Sequence, residues 1–286
     1  MDAIVTAGGI PLPEEPLYPY TEGKSKAMLD VAGKPMIQWT LDALSGAKNV
    51  ERVVIVGLPA KSGVTCKKPL TFIPNQGKMI ENIRAGVAKV LELNRKTRHV
   101  LAVSSDIPAI TSEMVDWAVA TAMETDDDIY YNIIPRPVME KRFPASRRTY
   151  THLKDMEVCG GDMNVARASL ISKETDLWER IINARKSPLK QAALIGYGTL
   201  FLLLLRKLTL EDVIGRVTKR LGVTGRAIVC PYAEVGMDVD KPHQLELLRK
   251  DLKRKQRRAE GKPKGALASK KKASGASKTS GKRKAK

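Results

Sequence analysis

Three stretches of the chain hold residue types able to handle phosphate and a divalent cation. Thr6-Ala7-Gly8-Gly9 follows directly on an apolar run that begins at Asp2. A glycine pair at the end of a strand leaves backbone N–H groups open to a phosphate and lets the chain approach it closely. A tight turn without a ligand has the same composition. The stretch is not a dinucleotide fingerprint, because no GxGxxG follows and a proline-rich loop, Ile10 to Thr21, intervenes. Asp106, in Val103-Ser-Ser-Asp106-Ile-Pro108, closes a second hydrophobic run. A carboxylate at the carboxyl end of a strand in an open α/β sheet lies where ligands bind, and Mg²⁺ takes one or two carboxylates beside phosphate oxygens. The competing use of Asp106, capping the next helix, falls more naturally to Thr111. Asp238 and Asp240, in Gly236-Met-Asp238-Val-Asp240-Lys-Pro242, add two more carboxylates. Asp240 suits the cap of a helix that starts at Lys241-Pro242, since proline fits the first helical turn and aspartate the cap before it.

The elements that must position these residues are short β-branched runs alternating with helical patterns, as expected for a parallel sheet covered on both faces. Strands are expected at Asp2 to Thr6, Arg52 to Val56, Leu70 to Ile73, Val100 to Val103, Ile129 to Ile134 and Ala227 to Cys230. Ile37, Leu41 and Leu44 recur at helical spacing ahead of Gly46, as do Ile80, Ile83, Val87 and Val90, and again Val115, Ala118, Val119 and Ala122 after Thr111. These stripes face a core. Residues 175 to 221 read as a helical subregion, with Leu200 to Leu205 expected to be buried on most sides. A last helix runs through Leu245, Leu248 and Leu252.

The net charge of +19 suggests a nucleic-acid binder until it is located along the chain. Residues 250 to 286 hold 16 Lys and Arg against Asp251 and Glu260, which leaves about +5 for the rest, ordinary for a folded domain. With almost no apolar residue beyond Gly261, the tail is expected to be disordered, and to offer sequence-independent contact to polyanions or nucleic acid. Cys66, Cys159 and Cys230 are far apart and lack metal-ligand spacing, so neither a disulfide framework nor a zinc site is expected. The start, MDAIVTAGG, lacks signal-peptide character, and Leu200 to Leu205 is too short to span a bilayer. A reducing, cytoplasmic setting without membrane contact is expected.

Lys26-Ala-Met-Leu-Asp-Val-Ala-Gly33-Lys34-Pro35-Met36-Ile37, taken with the first strand and its glycine pair, resembles the opening of the sugar-phosphate and molybdenum cofactor nucleotidyltransferases, roughly LAAGxGxRM, a spacer, then PKxLxxVxGKPMI. Val103 to Pro108 resembles that family's SGDxP element, and Gly236 to Leu245 its DIDTPEDL ending. Pro74-Asn-Gln76-Gly77-Lys-Met-Ile-Glu-Asn82 is similar to PDQGxxxEN, and Cys159-Gly160-Gly161-Asp162-Met-Asn164 to TGGN, with Asp162 where the motif has Asn. The resemblance covers nearly all of residues 1 to 249. It implies a Rossmann-like (GT-A type) α/β fold, with the helical C-terminal segment and basic tail appended. It further implies that Lys26 contacts a triphosphate, that Asp106 and Asp238 hold Mg²⁺, that Ala7, Gly8, Gly9, Gln76, Gly77 and Asn82 line the nucleotide, and that Gly160, Gly161 and Asp162 face a phosphorylated acceptor.

The expected reaction is transfer of a nucleoside monophosphate from a nucleoside triphosphate to that acceptor, with release of pyrophosphate. A phosphate monoester is already largely ionised near neutral pH, so positioning and charge neutralisation suffice without a side-chain base. One departure matters. The family's phosphate-gripping Arg in GxGxRM has no counterpart, because the matching loop reads Gly9-Ile-Pro-Leu-Pro-Glu-Glu-Pro. Lys24 substitutes for it, or the grip is weaker, or the chain is a nucleotide-binding regulator without turnover. The same residues could also belong to a GT-A glycosyltransferase, which is disfavoured because Asp106-Ile-Pro108 is not a DxD motif. A nucleic-acid binder is supported by the tail alone.

Overall fold

The computed structural model describes residues 1–172 and 196–260. Strand β1 (Asp2–Thr6) lies between β4 (Val53–Val56) and β6 (His99–Ser104), parallel to both, with Thr6 level with Val56 and Ser104. Runs such as Val-Val-Ile-Val need cover on both faces, and alternation along β1 supplies the two halves. Ala3 and Val5 point to the larger core, with Ile37 and Leu41 of the helix Met36–Gly46 and Val115 and Ala118 of the helix Ser112–Ala122. Ile4 points the other way, to Val87 and Val90 of the helix Met79–Leu93 and Ile171 of the helix Ala168–Ser172.

Beyond β4 lies β5 (Leu70–Ile73), also parallel. On the other side β6 pairs antiparallel with β10 (Met163–Arg167), which pairs with β7 (Ile129–Pro135). β7 is flanked by parallel β11 (Gly225–Val229) and antiparallel β9 (Glu157–Gly160), and β8 (Thr151–His152) closes that edge. The sheet is mostly parallel and Rossmann-like, as expected. A separate hairpin, β2 (Asp30–Val31) with β3 (Lys34–Pro35), leads into the helix Met36–Gly46. Its turn has φ of 55° at Ala32 and 85° at Gly33, which explains the glycine ahead of Lys34-Pro35.

The six expected strands are present within a residue or two, and β2, β3, β8, β9 and β10 are additions. Met163–Arg167 is half polar and follows Gly161-Asp162, so it carries neither a clean alternation nor an apolar run. The helical subregion includes Tyr197–Leu204 and Leu210–Leu221, while residues 175–195 lie outside the described residues. Burial of Leu200 to Leu205 on most sides does not hold. Phe201, Leu204 and Leu205 are exposed, because this helix meets the sheet through one side, with Leu203 against Ile133, Leu153 and Val158. The last helix, Pro242–Glu260, buries Leu245, Leu248 and Leu252 and carries on past residue 250, so the first third of the basic segment is helical. The expected disordered tail beyond Gly261 lies outside the described residues. Among the described residues no helix is long and apolar enough to cross a membrane.

Candidate functional site

The carboxyl ends of β1, β4 and β6 meet at one edge of the sheet, where Ala7 N–H donates to Val56 O at 2.8 Å and Ser105 N–H to Thr6 O at 3.1 Å. The glycine loop leaves β1 here. Gly57 crosses directly beneath it with φ of 110°, and a Cβ on Gly57 would lie 2.3 Å from the Gly8 nitrogen. Asn75 donates to Gly8 O at 3.1 Å and accepts from Gly77 N–H and from the Asn82 amide. Buried Asn82 in turn accepts from Gln76 N–H at 2.7 Å. The Asn75 and Asn82 side chains therefore stand against Gly8 and tie the Gln76-Gly77 turn to it, Asn82 through both ends of its amide.

Lys26 is stitched to the same loop. Its N–H donates to Gly9 O at 2.9 Å, and the neighbouring Ser25 hydroxyl donates to Ala7 O at 2.7 Å while accepting from Ala27 N–H, which caps the 3₁₀ turn Lys26–Met28. The ammonium lies 2.5 Å from Asp106 Oδ2, 2.9 Å from Asp240 Oδ1 and 3.4 Å from Val239 O. Burial pulls the Lys26 ammonium toward the neutral form. The charges and hydrogen bonds of Asp106 and Asp240 outweigh that and hold its pKa well above the ordinary lysine value. Thr111 occupies the cap position of Ser112–Ala122, though its hydroxyl makes no cap bond, so Asp106 is not used there.

Asp240, expected to cap the last helix, has its carboxylate on Lys26. Gln244 Oε1 accepts the N–H groups of Asp240 and Lys241 at 3.0 and 2.9 Å. Asp238, buried, forms an ion pair with Arg148. Val239 N–H donates to Asp106 O at 3.0 Å, so the two carboxylate segments are brought together. The strip Gly160 to Asp162 abuts them: Ser104 N–H donates to Asp162 O at 2.8 Å, Asp162 N–H to Val235 O at 2.9 Å, and Gly161 N–H to Asn132 O at 2.8 Å. Gly160 lies flush against Tyr131, whose hydroxyl would be 2.2 Å from a Cβ there.

Asp106 Oδ1 is buried with no hydrogen-bond partner among the described residues. An unpartnered buried carboxylate oxygen, on a segment joined by backbone to the one that carries buried Asp238, suits a hard cation. No group of three or more His, Cys, Asp or Glu forms a metal cage among the described residues, so a cation here would complete its shell with oxygens from elsewhere. Gly57, Asn75 and Arg148 cannot be picked out from the sequence. A lone glycine, an asparagine one residue from a motif and an arginine in an unpatterned loop carry no local signal.

Residues 21–180 match the MobA-like NTP transferase domain. The chain belongs to this NTP transferase family. The match takes in Lys26 and Asp106, while the glycine loop and Asp238 lie outside it and owe their place at the site to the geometry above. A hypothetical transferase structure from Thermus thermophilus is 35% identical, with a TM-score of 0.73 over 85% of this chain and 98% of that one. The NTP transferase fold is also shared with a CMP:2-keto-3-deoxy-manno-octonic acid synthetase complexed with CTP, at 14% identity and a TM-score of 0.52 over 89% of this chain and 98% of that one. It is shared too with a 4-diphosphocytidyl-2C-methyl-D-erythritol synthase from Anaerococcus prevotii, at 11% identity and a TM-score of 0.54 over 88% and 95%. No curated protein matches the sequence.

Proposed function

We propose that residues 1–249 form a nucleotidyltransferase domain that moves a nucleoside monophosphate from a nucleoside triphosphate to a phosphorylated small-molecule acceptor. The observation that carries this reading is the Lys26–Asp106 pair beside the Gly8-Gly9 loop, with one Asp106 oxygen left unpartnered. An oxygen of the acceptor phosphate attacks the α-phosphorus, the bond from that phosphorus to the bridging β-phosphate oxygen breaks, and pyrophosphate leaves in line. Lys26 and the N–H groups of Gly8 and Gly9 bind the departing pyrophosphate, where charge accumulates. Gln76 and Gly77 flank the nucleoside, and the strip Gly160 to Asp162 faces the acceptor. Asp106 and Asp238 would hold Mg²⁺, which supplies charge neutralisation and alignment of the reacting phosphates. Lys26 must exchange Asp106 and Asp240 for triphosphate oxygens, a swap of one anionic partner for another.

The three cysteines are free thiols. Burial pushes the Cys230 thiol up to about 11 and raises Cys159 too, which keeps both protonated at neutral pH, and a reducing, cytoplasmic setting is a separate proposal that rests on the sequence. Contact between the basic tail and polyanions is a separate proposal resting on charge alone, and should weaken steeply with salt.

The test is a thermal-shift screen of the four NTPs with Mg²⁺, followed by assay of pyrophosphate release with common sugar phosphates. Stabilisation by an NTP and pyrophosphate release with an acceptor are expected. Binding without release would leave a nucleotide-responsive regulator, and preference for an NDP-sugar would replace nucleotidyl transfer with glycosyl transfer.

A further inference from the structure

The family motif's arginine is missing from the glycine loop, yet an arginine reaches the site from elsewhere. The segment between the helix Arg136–Arg142 and β8 is pinned at both ends of a tight turn. Phe143 is buried, Ser146 N–H donates to Phe143 O at 3.0 Å, and His243 Nε2 lies 3.1 Å from Ser146 O. Arg147 follows with φ of 52°, a left-handed conformation that a non-glycine residue adopts at a cost. After that kink Arg148 points inward, its side chain only 15% exposed, and pairs with the buried carboxylate of Asp238. Burial raises the Cys159 thiol in β9, and the charge of Arg148 acts against that rise. Cys159 opens the strip Gly160-Gly161-Asp162.

The site thus holds two inward cations, each on its own carboxylates. Lys26 stands at the glycine loop against Asp106 and Asp240, and Arg148 stands against Asp238. We propose that Arg148 is the binding residue for the acceptor's phosphate monoester, held in reserve by Asp238. This rests on the reading of the site as a nucleotidyltransferase with a phosphorylated acceptor. A guanidinium fork matches two phosphate oxygens as it matches two carboxylate oxygens, so phosphate can replace Asp238 as its partner once that carboxylate is neutralised or turned to a cation. The ordering of the turn at Ser146 fixes where the fork stands before any ligand arrives.

Inorganic phosphate is the probe, titrated by calorimetry into the full chain at 0.15 M salt. The basic tail is common to every variant, so differences between variants report the site. Asp238→Asn, without divalent metal, should bind phosphate at least tenfold more tightly than wild type, and the double variant Asp238→Asn/Arg148→Gln should lose that gain. A second measurement needs no change at Asp238: Mg²⁺ should strengthen phosphate binding to wild type by tenfold or more, and not to Arg148→Lys or Arg148→Gln. No gain in Asp238→Asn, or a gain that survives removal of Arg148 in either arm, overturns the proposal. Thermal shifts with NTPs on the same proteins separate the two readings. A phosphate gain that needs Arg148 in a chain that no NTP stabilises would sink nucleotidyl transfer and keep the anion site. NTP-dependent pyrophosphate release with phosphate binding indifferent to Arg148 would do the reverse.

Discussion

Val239 N–H donates to the carbonyl oxygen of Asp106 at 3.0 Å, so the end of β6 and the segment carrying Asp238 are joined by backbone as well as through Lys26. Two carboxylates held in a fixed relation are expected to act as a unit. Replacing either Asp106 or Asp238 by Asn should reduce pyrophosphate release by several orders of magnitude, and the double variant should be little worse than either single one. A double variant more than tenfold slower than the slower single variant would show independent roles and remove the shared cation from the mechanism.

In the proposed reaction Lys26 would contact the phosphates most strongly as charge moves onto the leaving pyrophosphate, so its loss should fall on kcat more than on NTP binding. Lys26→Met should lower kcat by on the order of 10²-fold, by analogy with the loss of one preorganised donor. Single-turnover rates measured beside NTP affinity decide the point. An unchanged kcat would return Lys26 to a structural role between Asp106 and Asp240.

How far the sequence reveals the site differs from residue to residue for physical reasons. Lys26 and Asp106 are legible because each lies at the end of a recognisable strand or turn, in a run whose order matches a known pattern. Asp238 and Asp240 are legible as a pair, but the division of labour between them is not. Gln244 accepts the N–H groups of Asp240 and Lys241 just ahead of the last helix while the Asp240 carboxylate faces Lys26, an arrangement set by side-chain contacts that no local capping rule encodes. Arg148 is invisible because its partner, Asp238, is far away in sequence and its loop has no periodicity. The parallel half of the sheet is plain in its Val and Ile runs, whereas β9 and β10 owe their strand state to pairing with β7 and β6.

Gly57 tests whether the glycine loop is held from below. At φ of 110°, with Gly8 backbone atoms 2.3 and 2.4 Å from where a Cβ would stand, alanine must both adopt a disfavoured conformation and push the loop away. The conformational cost alone is on the order of 1–3 kcal/mol. Gly57→Ala should therefore lower Tm, and should shrink the additional stabilisation by Mg²⁺ and NTP by more than the same loss of stability introduced elsewhere. If the variant bound NTP as wild type does, the loop would not depend on this approach.

Behind the site, Arg142 joins two elements that must hold Asp238 in place. Its Nε donates to Glu234 Oε1 at 2.7 Å, in the turn just ahead of Asp238, and its two terminal nitrogens donate to Asp251 in the last helix at 3.0 and 2.6 Å. Arg254 and Lys255 also face Asp251, at 3.1 and 3.8 Å. Burial pushes the Asp251 carboxyl up, but the hydrogen bonds and charge of Arg142, with Lys255 and Arg254, outweigh it and hold the group below the ordinary aspartate value. A carboxyl depressed in the folded state adds stability that is fully present above its unfolded pKa, about 4, and is lost as pH falls through the lower folded value. Asp251→Asn should thus destabilise the protein by about 2 kcal/mol at neutral pH, since it removes a charged acceptor from a partly buried network. The difference from wild type should persist down to about pH 5 and close progressively below about pH 4. Urea unfolding of both proteins across that range measures it. A gap that stayed constant to pH 3 would mean that the cost comes from packing, and that the Arg142 network does not hold the Asp238 turn by charge.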